Sequence, residues 1–190
     1  IIDRLNKNAV RVQIPMGAEE NFAGVIDLLK MKAYYFEGNM GIDVREAEVP
    51  AEYLEEAKKY RGILVEKIVE HDDALMAGYL EGQEPTIDQL KATLRKAVLG
   101  NQLFPVMTGS SLKNVGVQRV LDAVVDYLPS PVDLPPVKGT NPDTDAEELR
   151  EATDEAPFCA LAFKLQTDPF VGQLTFFRVY SGTVKAGSYI

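Results

Sequence analysis

One cysteine, one histidine and no tryptophan occur among 190 residues. A lone Cys159 excludes an intrachain disulfide and suits a reducing, cytoplasmic setting. Set in an alternating apolar run, it reads as a buried, inert thiol. His71 has no cysteine or second histidine with which to build a metal site, so it reads as a solvated residue at a helix end. Cations are also short: 20 Lys and Arg face 29 Asp and Glu, a net charge of −9. That balance disfavours broad nucleic-acid binding, which needs clustered positive charge. The longest apolar run, from Ala156 to Phe163, falls far short of the roughly 20 residues a membrane helix requires. No charged-then-apolar leader is read at Ile1, so neither a secretory address nor a membrane is expected. Missing as well are a Gly-x-x-x-x-Gly-Lys-Ser/Thr loop, a Gly-x-Ser-x-Gly elbow and any Ser/His or Cys/His pair. The residues alone therefore supply no catalytic apparatus.

What is present is an ordinary globular composition, 46% apolar and 26% charged. The chain begins at Ile1 rather than Met and stops at Ile190 within a strand-like pattern, so it reads as a piece of a longer protein. Charge is unevenly spread. Residues 101–156 hold four cations against ten anions, whereas residues 157–190 hold three against one. An acidic body favours a basic protein partner, mainly through the association rate.

The organisation is read from periodicity. Residues 1–8 look like the end of a helix. Ala9 to Ile14 alternates as one strand, with Val10, Val12 and Ile14 on one face, and ends at Pro15. Gly24 to Lys32 is partly strand-like, Tyr34 to Phe36 is a strand, and Val44 to Glu48 is its hairpin partner. From Ala51 to Leu80 the pattern is helical, with a break near His71–Asp73. Thr86 and Gln89 form a capping box, in which each side chain satisfies a backbone N–H of the other residue. The helix that follows ends at Gly100. Residues 129–156, rich in Pro, Asp, Glu and Thr, read as an exposed linker. Beyond Pro157, Cys159, Leu161, Phe163 and Leu165 alternate, and Leu174 to Tyr180 forms a second strand, opening an antiparallel β domain.

The most informative stretch runs from Gly109 to Asn114. Leu103 to Met107 precedes it as a short buried strand, and Pro105 within that strand suits an edge position. Val117, Val120, Leu121, Val124, Val125 and Leu128 follow at three- and four-residue steps, the period of an amphipathic helix. A strand that breaks into small residues and reopens as a helix leaves backbone N–H groups unpaired, ready for a polar or anionic ligand edge.

Four blocks carry a resemblance. Gly109 to Gln118 reads GSSLKNVGVQ, Asp126 to Asp133 reads DYLPSPVD, and Asp168 to Gly182 reads DPFVGQLTFFRVYSG; together they resemble translational GTPases. Ile14 to Leu28, IPMGAEENFAGVIDL, narrows the resemblance to the bacterial-type elongation factor G family. The blocks stand in the family's order over residues 14–182. The resemblance implies an α+β chain: an α/β P-loop GTPase remnant with an inserted α+β G′ subdomain, followed by the first strands of an antiparallel β-barrel. Residues 1–8 would end a G-domain helix, 9–100 form the G′ insertion and 101–128 the last strand and helix of the GTPase core. Residues 129–156 would be the linker and 157–190 the start of domain II.

In that family Ser110, Ser111 and Leu112 occupy the fifth nucleotide motif, whose backbone N–H groups contact guanine O6. Ser111 stands where alanine is usual, a change that a backbone contact should survive. Glu66, Glu70 and Asp73, at steps of four and three, would share a helix face. Glu66 and Glu70 match the acidic G′ helix that meets the basic ribosomal stalk protein, and Asp73 extends the patch. Lys164, Arg178 and Lys185 would approach small-subunit rRNA, with tRNA and mRNA engaged indirectly on the ribosome. GTP or GDP would be the parent's ligand, with Mg held by upstream residues together with the phosphate loop, the switches and Asn-Lys-x-Asp. This piece would then hydrolyse nothing by itself and carry no cofactor. Two other readings stay open: a sibling ribosome-associated GTPase (a ribosome-protection or release factor, or an elongation factor G paralogue), and an acidic adaptor that binds protein without nucleotide.

Overall fold

The structure, a computed structural model, describes Arg4 and residues 8–189; apart from Arg4 and Asn8, the helix end expected at residues 1–8 lies outside them. Helix and strand occupy comparable shares, 33% and 31%, so the fold is mixed α and β. The chain divides into two compact units, residues 1–128 and 129–190. No helix among the described residues is long and apolar enough to cross a membrane.

In the first unit the run from Ala9 does not form a single strand. It divides at Val12 into β1 (Ala9–Arg11) and β2 (Gln13–Met16), which belong to different sheets. Val10, Val12, Ile14 and Met16 all stay buried, so the alternation reports burial correctly but cannot report a change of partner. Pro15 lies inside β2 rather than ending it. The meander continues through β3 (Gly24–Asp27), β4 (Lys32–Glu37) and β5 (Asp43–Glu48), giving a four-stranded antiparallel sheet in the order β2-β3-β4-β5.

Three helices follow: α1 (Ala51–Val69), α2 (Asp73–Leu80) and α3 (Ile87–Leu99). Between α1 and α2 the chain breaks because Asp72 caps the second helix, accepting from the N–H groups of Ala74 and Leu75 at 3.1 Å. The Thr86 capping box opens α3: the Gln89 N–H donates to Thr86 Oγ1 at 3.3 Å, and the Thr86 N–H donates to Gln89 Oε1 at 2.9 Å. Leu64, Ile68, Leu90, Leu94 and Ala97 close one apolar cluster with Val10, Ile26, Leu28 and Ala33 of the strands. His71 is not a solvated side chain: it is half-buried and its Nε2 is shielded, with no hydrogen-bond partner among the described residues.

The unit finishes with β6 (Phe104–Val106), which pairs in parallel with β1 in register Val10 to Pro105, and with α4 (Val117–Tyr127). Among the described residues Pro105 sits in a strand with one neighbour, where a missing N–H is tolerated. Most of the apolar stripe of α4 lies open. Leu121 is 61% and Val125 78% exposed, while Arg119, Ala123 and Tyr127, at four-residue steps, form the inward face. Periodicity locates an apolar face but not what covers it. Tyr127 is desolvated by burial, which pushes its hydroxyl pKa upward.

The second unit begins where a linker is expected, yet residues there fold into a hairpin, β7 (Val137–Thr140) with β8 (Glu147–Arg150). Asn141 Oδ1 accepts from the N–H groups of Asp143 and Thr144, a side-chain-stabilised turn that an acidic, proline-rich composition conceals. A second hairpin joins β9 (Cys159–Asp168) to β10 (Gly172–Ser181). Leu161, Phe163 and Leu165 are exposed, and Cys159 is half-buried rather than buried. Among the described residues neither ladder of this unit gains a third strand.

Candidate functional site

The parallel pair β1–β6 sets the geometry. Two parallel strands deliver their following segments to the same end, and ligands of parallel sheets bind outside those carboxyl ends. After β6 the chain enters Thr108 and Gly109 and then a tight loop. The Ser110 N–H donates to Val115 O at 2.8 Å and the Val115 N–H to Ser110 O at 2.9 Å. Inside this bridge the Asn114 N–H donates to Ser111 O at 3.2 Å. The Ser110 N–H is therefore committed within the loop. The N–H groups of Ser111 and Leu112 donate to no backbone carbonyl among the described residues, and both residues are exposed. A Cβ on Gly109 would come within 2.8 Å of Val115 O, so the bridge closes this tightly only over glycine.

Contacts from the four-stranded sheet hold the loop in place. Asn114 Nδ2 donates to Met40 O and Gln118 Nε2 to Gly41 O, both at 2.8 Å. Gly41 has φ +62, and a Cβ there would lie 2.9 Å from Asn114 O. Next to Gln118 in the first turn of α4, Arg119 pairs with Asp27 and stacks over the Tyr34 ring with its Cζ 4.3 Å from the centroid. Tyr34 donates its hydroxyl to Glu46 at 2.7 Å; burial first, then this bond, pushes its pKa upward. Asn114, Gln118 and Arg119 were not legible as site residues, because their partners lie about 75 to 90 positions away.

A groove of about 480 Å³ lies between the segment Pro15–Phe22, at the end of β2 and beyond it, and the segment Thr108–Leu112, which follows β6. Thr108 Oγ1 is shielded from solvent and has no hydrogen-bond partner among the described residues. Two free N–H donors and a wall of small residues suit a planar acceptor edge such as a carbonyl. One such bond contributes about 0.5–1.5 kcal/mol net, enough to discriminate but not to hold a ligand.

The acidic residues are split between two helices. Glu66 lies in the last turns of α1, Glu70 caps it, and Asp73 opens α2 beyond the break. All three are exposed, and none has a cationic partner among the described residues. In the second unit Lys164 stands over the Phe176 ring at 5.4 Å and Arg178 over Tyr180 at 5.2 Å, so aromatic faces of β10 hold both heads. Lys185 sits in the turn after β10, where its carbonyl accepts from the Ser188 N–H at 3.1 Å.

No protein-family profile matches the chain. A crystal structure of a protein from Thermus thermophilus is similar to it, with a TM-score of 0.70 and 32% sequence identity over 95% of this chain and 24% of that one. The two share a fold across that span. The chain thus spans about a quarter of the length of its neighbour.

Proposed function

We propose that the chain is an internal part of an elongation-factor-G-type translational GTPase, a protein that promotes movement of tRNA and mRNA through the ribosome. Its share is the guanine-contacting turn together with an acidic surface for the basic ribosomal stalk protein. The observation that carries this reading is the placement of the Ser111 and Leu112 N–H groups at the carboxyl end of a parallel strand pair. Two donors there meet the O6 acceptor of guanine, whereas the amine of adenine would set donor against donor. The four sequence blocks supply the family, and the uncovered apolar side of α4 fits a helix whose packing partners belong to a larger core.

By this reading β6 and α4 are the last strand and helix of the GTPase core, and β1–β5 with α1–α3 are the inserted subdomain, β1 lying alongside β6. The hairpin β9–β10 opens a β-barrel, and its Lys164 and Arg178, with Lys185 in the turn that follows, serve rRNA. Residues of the parent outside this chain hold the phosphates and Mg, and with them the hydrolytic chemistry. This chain reads one edge of the base and recruits, so it binds guanine nucleotide weakly. Calorimetric titration with GDP is expected to give a Kd no tighter than about 1 mM, near −4.1 kcal/mol. Micromolar binding would overturn this division of labour.

A further inference from the structure

The loop that leaves β2 faces the turn that leaves β6, and the guanine motif does not account for it. Its shape is fixed. The Asn21 N–H donates to Ala18 O at 3.0 Å and the Ala23 N–H to Met16 O at 2.8 Å. Gly17 has φ +80, and a Cβ there would fall 2.1 Å from Asn21 O, so the chain could not fold back this closely with any other residue. Phe22 is half-buried at the groove, with Pro15 and Gly17 beside it and Thr108, Ser111 and Leu112 opposite.

We propose that the loop Gly17–Phe22 is the second wall of a purine groove, with Phe22 packing against a base whose carbonyl edge takes the N–H groups of Ser111 and Leu112. This rests on the guanine reading of the turn and extends it to a segment on another strand. Three features support it. The loop after β2 and the turn after β6 line one groove, and the turn stands at the carboxyl end of a strand in the parallel pair, where ligands of such sheets bind. The space between them, about 480 Å³, accommodates a purine. Donors on one side and an aromatic ring on the other match the acceptor edge and the apolar surface of a base. The loop is preorganised by its own hydrogen bonds, so little ordering cost falls on the ligand.

The test uses the whole chain, amide-resolved NMR, GMP as the probe and AMP as the control. The expected result is that GMP moves the amides of Ser111, Leu112 and residues 17–22 along one saturation curve, and that AMP does not. Phe22→Ala should weaken GMP by about fivefold or more, in line with the loss of a base–aromatic contact, and Phe22→Leu should restore part of it. Should Phe22→Ala fail to fold, the amide map of the unaltered chain and the Phe22→Leu variant decide the matter. Movement confined to Ser111 and Leu112, with Phe22→Leu binding as the unaltered chain does, overturns the second wall and leaves the guanine turn standing. No movement at either wall overturns both.

Discussion

Arg119 Nη2 lies 2.8 Å from Asp27 Oδ2, tying α4 to the end of β3 across 92 positions of sequence. Both side chains are largely buried, at 17% and 11% exposure. Asp27 is satisfied on its other oxygen by the N–H groups of Leu29 and Lys30, so the ion pair is the outer half of a saturated carboxylate. Because α4 continues directly from the Ser110–Val115 loop, this pair fixes where the loop sits against the sheet. Removing Arg119 leaves a desolvated carboxylate without its cation. Arg119→Met should destabilise the first unit by about 3 kcal/mol, and Asp27→Asn by a similar amount. The double variant should lose less than the sum, because neither charge is then stranded. Urea denaturation of the four proteins measures this; strict additivity would show that the pair contributes no coupling.

Reversal of charge at Glu66 and Glu70 should slow association with the basic domain of a ribosomal stalk protein. The effect should shrink as salt rises, since exposed charges are screened beyond about 8 Å at physiological ionic strength. Surface plasmon resonance at two salt concentrations reads both rates. Equal association at low salt for the unaltered chain and the Glu66→Lys, Glu70→Lys double variant would remove the acidic surface from the proposal.

The turn between β9 and β10 carries a pH dependence of known sign. Asp168 Oδ1 accepts from the N–H groups of Val171 and Phe170 at 2.9 and 2.8 Å, and these bonds hold its carboxyl below the usual value. A depressed folded-state pKa means that the contribution is present above the unfolded pKa and is lost as pH falls through the folded one. Amide exchange at Phe170 and Val171 should therefore gain protection above the ordinary carboxylate range and lose it on acidification below that range. In Asp168→Asn the same amides should show no such step.

Features with local causes were legible in the residue order. The Thr86 capping box, the break at Asp72 and the pairing of Tyr34–Phe36 with Val44–Glu48 each depend on partners within about a dozen positions, and each is observed. Features with distant causes were not. The division of residues 9–16 at Val12 depends on β6, which lies some 95 positions away and takes β1 from the sheet that β2 joins. The inward face of α4 is fixed by Asp27 and Gly41 rather than by its own apolar stripe, which lies uncovered. At the site the turn itself was legible from its small residues. Commitment of the Ser110 N–H to Val115 was not, because a two-residue bridge leaves no periodic trace.

Base selectivity at the turn is most directly measured by recording the amide resonances of Ser111 and Leu112 while guanosine and adenosine nucleotides are titrated in parallel. Both amides should shift with the guanosine nucleotide at millimolar concentrations and stay in place with the adenosine one, while Ser110, held by Val115, moves least. Equal shifts with both bases, or none with either, would contradict a guanine-reading turn.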